Sequence, residues 1–195
     1  MKLKSFKPLV LITAGLCLCA LPARADAPPE ATAFALVKEG NRHVGEDAKD
    51  RVVQIRSEKS VGTLVPNVWY IVYFDPDATA KATEVKFGGG KKLSVKRPAR
   101  VLEFASGNTE IPREKLKIDS DKALEIAREE PMLKNLTLTS SEMKLDRWTA
   151  EPVWKIRFWA TKLRDTTKTV DIGEIFVHAT DGKVVKNDLH INKVD

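Results

Sequence analysis

Val68-Trp69-Tyr70-Ile71-Val72-Tyr73-Phe74 is a run in which every residue is β-branched or aromatic. Such side chains fit a pleated, half-buried surface, so the run reads as a strand. Pro66 precedes it and Asp75-Pro76-Asp77 stops it, because Pro cannot donate to a ladder and Asp favours turns. Val153-Trp154-Lys155-Ile156-Arg157-Phe158-Trp159 repeats the pattern behind Pro152. Trp69 shares parity with Ile71, and Trp154 with Ile156. Alternation therefore assigns both indoles to a core face. Trp159 falls on the opposite face with Lys155 and Arg157.

The segments around each run come in the same order. Upstream of the first, Phe34, Val37, Asn41 and Val44, with Ala33 and Leu36 beside them, have helical spacing. Arg51 to Arg56 alternates as a strand, with Val53 and Ile55 expected on one face. Downstream, Glu84-Val85-Lys86-Phe87 alternates, Gly88-Gly89-Gly90 turns the chain, and Leu93 and Val95 continue as strand. Beyond residue 118, Asp119 or Ser120 can cap a helix from Asp121 to Glu130, with Ala123, Ile126 and Ala127 as its stripe. Strands are expected over Leu136 to Thr139, Met143 to Leu145 and Gly173 to Ala179, closed by the Asp181-Gly182 turn. Val184, Leu189 and Ile191 follow.

This order suggests an internal repeat. The two tryptophans are 85 residues apart and the Gly90-Lys91 and Gly182-Lys183 steps are 92 apart. Seven extra residues are expected in the polar run Thr161 to Thr169, where a turn lengthens at little entropic cost. The expected fold class is α+β, built as two tandem units, each a helix packed on a small antiparallel sheet. The units span 26–97 and 119–195, with a connector over 98–118. Phe34 and Val37 are expected to meet the first sheet, and Ala123 and Ala127 the second.

The second half resembles a PepSY-type domain. The likeness is carried by the helix Asp121 to Glu130, by Pro152-Val153-Trp154-Lys155-Ile156, and by Ile175-Phe176-Val177-His178-Ala179-Thr180-Asp181-Gly182-Lys183-Val184. His178 stands where such domains often carry Asp, and the first half looks like a more divergent copy. The resemblance implies a helix followed by an antiparallel sheet, an exported protein, and a binding or peptidase-modulating role. It brings no catalytic residues.

The chain has 195 residues, 33 Lys+Arg and 27 Asp+Glu, a formal charge of +6. Lys2, Lys4, Lys7 and Arg24 lie in the first 25 residues, which hold no acid. Removing those four leaves 29 basic against 27 acidic residues, so net charge gives no support to nucleic-acid binding. The basic start, the apolar run Leu9 to Leu21 and Ala23-Arg24-Ala25 read as a signal peptide over 1–25. The apolar run is shorter than the roughly 20 residues of a membrane span. The product is expected in the periplasm or secreted, and not membrane-spanning. Cys17 and Cys19 are the only cysteines, so the processed chain has no thiol and must be held together by its core.

The motifs of catalysis are missing from the sequence. His43, His178 and His190 have no metal-ligand spacing, and no G-x-S-x-G is present. Gly88-Gly89-Gly90-Lys91-Lys92 lacks the spacing of a phosphate loop. Asp75-Pro76-Asp77 and Asp119-Ser120-Asp121 read as a turn and a helix cap. We therefore expect no catalytic residues, no metal and no cofactor. The candidate binding surface is Lys86, Lys91, Lys92, Lys96, Arg97 and Arg100, a basic run with no acid between Glu84 and Glu103, together with Trp159. The expected function is an exported binding module for a protein or peptide partner, with contact to an anionic envelope polymer or lipid through the basic hairpin as the alternative. N-terminal sequencing of the native protein should return Asp26; recovery of Met1 would reject cleavage.

Overall fold

Eight strands form one antiparallel sheet in the order β4-β3-β2-β1-β5-β6-β7-β8. The computed structural model describes residues 31–98, 110–148 and 151–195. The first helix, α1, spans Ala33–Gly40, and the second, α2, spans Ser120–Arg128. The strands are β1 Val52–Ser57, β2 Val68–Phe74, β3 Ala82–Gly88, β4 Lys91–Lys96, β5 Leu138–Trp148, β6 Glu151–Thr161, β7 Thr169–His178 and β8 Val184–Leu189. Strand takes 42% of the described residues and helix of all kinds 22%. Each half of the chain supplies a four-stranded meander, and β1 pairs antiparallel with β5 to join them.

The expected pair of separate helix-on-sheet units is therefore corrected. The sheet is continuous and one apolar core serves both halves. The physical reason is cover. At about 1.5 Å per residue the helices are only about 12–14 Å long, too short for either to shield a four-stranded sheet. Pooling the helices against one sheet closes the core. Ala33, Leu36, Trp69, Trp154, Ala123 and Ala127 all belong to it.

Both tryptophans lie on the helix side as expected, Trp69 2% and Trp154 0% exposed. They meet edge to face at 6.4 Å. Trp69 Nε1 donates to the Pro66 carbonyl at 3.0 Å, and Trp154 Nε1 to the Ile118 carbonyl at 2.8 Å. Phe34, however, stacks on Trp154 of the second half, 6.2 Å between ring centroids. The buried side of α1 is Ala33, Leu36 and Gly40, while Phe34 and Val37 are half-buried. α1 lies on β2 and α2 on β6 and β7, each on its own half of the sheet, while Phe34 reaches across to the other half.

The first turn of α1 is capped from across the chain. Ala33 N donates to Ser120 Oγ and Phe34 N to Asp119 Oδ1, both at 3.0 Å. Asp119 is also the N-cap of α2. These bonds satisfy amides that a helix start leaves unpaired.

Other expectations shift in detail. A register irregularity between Val52 and Gln54 changes the parity of β1. Val53 therefore joins Val72, Ala82 and Phe74 in a small separate cluster, while Ile55 stays in the main core. The two strands expected over 136–145 are one strand, β5. The seven extra residues of the second half are not in the turn: the β2–β3 and β6–β7 connections are the same length, 75–81 and 162–168. Longer strands and a longer β7–β8 turn supply them. The β3–β4 turn is made by Gly89 and Gly90, with φ of 54° and 74°, the left-handed values that a two-residue hairpin needs.

Gly40 shows how closely α1 approaches the sheet. A Cβ there would lie 2.1 Å from the Tyr73 hydroxyl oxygen. That hydroxyl donates to the Val37 carbonyl at 2.8 Å, and Tyr73 is fully buried. Gly40→Ala should cost about 1–3 kcal/mol by overpacking. The same substitution in a Tyr73→Phe background should cost less, because the clashing oxygen is gone. Urea denaturation of the four proteins checks this; equal costs in both backgrounds would refute the contact.

Candidate functional site

Among the described residues no helix packs on the second face of the sheet, and register lines its side chains up across all eight strands. Reading from β8 to β4, successive cross-strand neighbours are Lys186, Phe176, Lys155, Lys144, Arg56, Tyr70, Lys86 and Ser94. Five cations and two aromatics thus form a single row. Strands are about 4.8 Å apart, so the row is about 34 Å long.

Each aromatic sits between cations. The Arg56 guanidinium lies 4.0 Å and Lys86 Nζ 4.9 Å from the Tyr70 ring centroid. Lys186 Nζ and Lys155 Nζ lie 5.0 and 5.8 Å from that of Phe176. Trp148 adds its ring to Phe176 at 5.5 Å. Phe176 is only 7% exposed as a result.

Acids flank the row and hold its cations. Glu84 takes Arg56 at 2.6 Å, Glu58 takes Lys86 at 2.9 Å, and Asp188 takes Lys186 at 3.0 Å. Asp146 serves two lysines, Lys144 at 2.7 Å and Lys155 at 3.1 Å. Arg157 grips Glu174 through Nε at 2.8 Å and through a second nitrogen. The Tyr70 hydroxyl, and then Lys86, hold the Glu58 carboxyl below its ordinary range. The Glu174 hydrogen bond raises Arg157 above its own.

The sequence-derived candidates do not gather in one place. Lys86 is in the row. Lys96 shares its face, opposite Glu84. Lys92 pairs with Phe87, a core-face residue, and Lys91 with Gly88 at the hairpin end. Leu93 leans over Gly88, where a Cβ would lie 2.8 Å from its Cδ1. Arg97 reaches Asp75 at 3.5 Å. Arg100 lies outside the described residues. Trp159 stands on the open face of β6, four strands from Lys86 and about 19 Å away across the sheet. Lys59 Nζ lies 4.3 Å from its ring centroid, bridging the two halves.

The residues that sequence reading missed are Arg56, Tyr70, Lys144, Phe176 and Lys186. Alternation marks Tyr70 and Lys155 as pointing away from the tryptophan face, but only the β1–β5 register joins the two halves of the row. Among the described residues no group of three or more metal-ligating side chains occurs. His178 and His190 do not come together. His190 N bonds Ile172 O, six residues along β7 from His178, about 20 Å in a strand. Each imidazole lies instead near its own carboxylate, Asp181 at 3.6 Å and Asp188 at 3.8 Å. Among the described residues no helix is long and apolar enough to cross a membrane. No family model, no curated protein and no solved structure matches the chain.

Asp75 takes the turn role expected of it and also anchors Arg97. Burial pushes its carboxyl up, but the Thr83 hydroxyl at 2.6 Å, the Asp77 amide at 3.0 Å and Arg97 outweigh this, so its pKa is lowered. A depressed folded-state pKa gives stability that is present above the unfolded value, about 3.9, and is lost as pH falls through the folded one. Asp75→Ala should therefore destabilise the protein by about 1–3 kcal/mol at neutral pH, leaving the Thr83 hydroxyl unpaired. The deficit should shrink in acid below pH 4. A deficit independent of pH, followed by urea melts, would exclude the ionic contribution.

Proposed function

We propose that the chain is an exported, non-catalytic binding module that holds a protein or peptide partner on the open face of its sheet. The observation that carries this reading is the cation–aromatic row crossing all eight strands. With strand segments of about six residues the face measures on the order of 700 Å², close to the roughly 800 Å² that each partner contributes to a standard protein interface. Arginine and aromatic residues are enriched at such interfaces; here they are Arg56, Arg157, Tyr70 and Trp159. The ring faces of Tyr70 and Phe176 are already occupied by cations, which does not suit a sugar-stacking platform. The acids between the cations balance the face, which suits a protein surface better than a polyanion.

Export is supported by the leader-like first 25 residues. The partner class suggested by the PepSY resemblance is a peptidase, whose activity the module would modulate. That resemblance rests on the helical segment Asp121 to Glu130, on Pro152 to Ile156 and on Ile175 to Val184 with its Asp181-Gly182 turn.

A second reading has its own observation. Lys91, Lys92 and Lys96 are exposed and have no ion pair among the described residues. They sit on the edge strand β4, where charge also deters sheet-to-sheet pairing. This hairpin is the part of the molecule that would contact an anionic envelope polymer or lipid.

Affinity capture from the protein's own envelope fraction separates the two. We expect an Arg157→Ala/Trp159→Ala variant to retain its fold and lose the captured protein at least tenfold. A Lys91→Gln/Lys92→Gln/Lys96→Gln variant should keep it. The reverse pattern, with lost retention on anionic polymer, would replace the first reading by the second. A captured peptidase should change its rate saturably with added module while the module stays uncleaved.

A further inference from the structure

The two edges of the sheet differ in how their side chains are matched. At β8, Lys186 pairs with Asp188 at 3.0 Å and Asn187 donates to Glu130 at 3.0 Å. At β4 no such matching occurs. Among the described residues no strand pairs with its outer side, so about half of its N–H and C=O groups point away from β3. Lys91, Lys92 and Lys96 are exposed and make no ion pair among the described residues. Lys96 stands opposite Glu84 in register, but that carboxylate is held by Arg56 at 2.6 Å. Between these lysines lie Leu93, 57% exposed, and Val95, 41% exposed. Val95 pairs with Val85, which is fully buried. The apolar side of the sheet therefore runs out to an edge that is open to solvent.

We propose that the outer edge of β4 accepts an extended segment of a partner protein, acidic at both ends and apolar in the middle, as an added strand. This contact is separate from the open face and takes a different segment as its ligand. Strand addition draws affinity from backbone hydrogen bonds and specificity from alternate side chains. Lys91 and Lys92 select acids at one end and Lys96 at the other, while Leu93 and Val95 meet apolar side chains between them. A second copy of this chain does not fit. Antiparallel self-pairing centred between Leu93 and Ser94 sets Lys91 against Lys96, and pairing centred on Ser94 sets Lys92 against Lys96. Like charges directly opposite destabilise a sheet. Edge lysines thus deter self-association. The same charges attract an acidic strand, within the roughly 8–10 Å over which charge acts at physiological salt.

The test uses the mature full-length protein and three short peptide probes. The first alternates valine and threonine with glutamates at both ends, and the second replaces those glutamates by lysines. The third is the glutamate peptide N-methylated at every amide, which keeps its charge but donates no ladder hydrogen bond. In an NMR titration the amide signals of β3 and β4 should shift with the glutamate peptide. The lysine and N-methylated peptides should bind at least tenfold more weakly. Lys91→Gln/Lys92→Gln should weaken the glutamate peptide about tenfold with an unchanged urea midpoint, because both side chains are exposed. Equal binding of the N-methylated peptide would reduce the edge to a charged surface and overturn the added strand, as would shifts confined to the open face. Failure of all three peptides would also overturn it, and retention on vesicles of anionic lipid would then give the hairpin to the lipid contact. The open-face reading fails separately, when the captured protein survives Arg157→Ala/Trp159→Ala.

Discussion

The structure depends on the seam where β1 meets β5. Only Ile55↔Leu145 and Arg56↔Lys144 pair there as ordinary strand neighbours. Serine side chains extend the ladder beyond them. Met143 N donates to Ser57 Oγ and Ser141 N to Ser60 Oγ, both at 2.8 Å, while Ser60 N donates to the Ser141 carbonyl at 2.8 Å. Ser57, Ser60 and Ser141 are buried. A buried backbone amide must find a partner, and here hydroxyls supply what strand divergence takes away. Without the seam each meander would expose an interior edge, the apolar face under the tryptophans would lose half its cover, and the row on the open face would break in two.

The two faces of the sheet do opposite work with the same alternation. On the helix side, buried tryptophans and aliphatics remove apolar surface from water, the main favourable contribution to folding. On the other side stand partly buried ion pairs, in which the cost of desolvating the charges offsets much of their attraction. Their value is geometric: Glu58, Glu84, Asp146 and Asp188 fix where each cation stands. Side chains held this way lose less freedom on association.

Much of this fold was legible in the sequence. β2 spans the residues its composition marks, and Trp69 and Trp154 are buried on the predicted face because period-two alternation is local. The Asp75 turn and the Asp119 cap were legible for the same reason. What was not legible is long-range. No local pattern says that β1 and β5 pair, so two separate units were expected where there is one sheet. Phe34 was assigned to its own half because helical spacing gives a stripe, not its destination. The basic run from Lys86 to Arg100 is contiguous charge in the sequence, whereas the aligned cations come from five strands and share no sequence neighbourhood. Register, and the irregularity that shifts Val53 off the core, decide both matters.

The caps of α1 have a consequence for the order in which the molecule can be made. Ala33 and Phe34 give their amide hydrogens to residues 87 and 85 positions further along the chain. A polypeptide emerging amino end first therefore presents its first helix and first meander before the groups that complete them exist. The early half has its own Thr32 cap on α1, but it lacks the two long-range caps and the seam partner until Asp119, Ser120 and then β5 have followed. The native arrangement is thus closed by its later half.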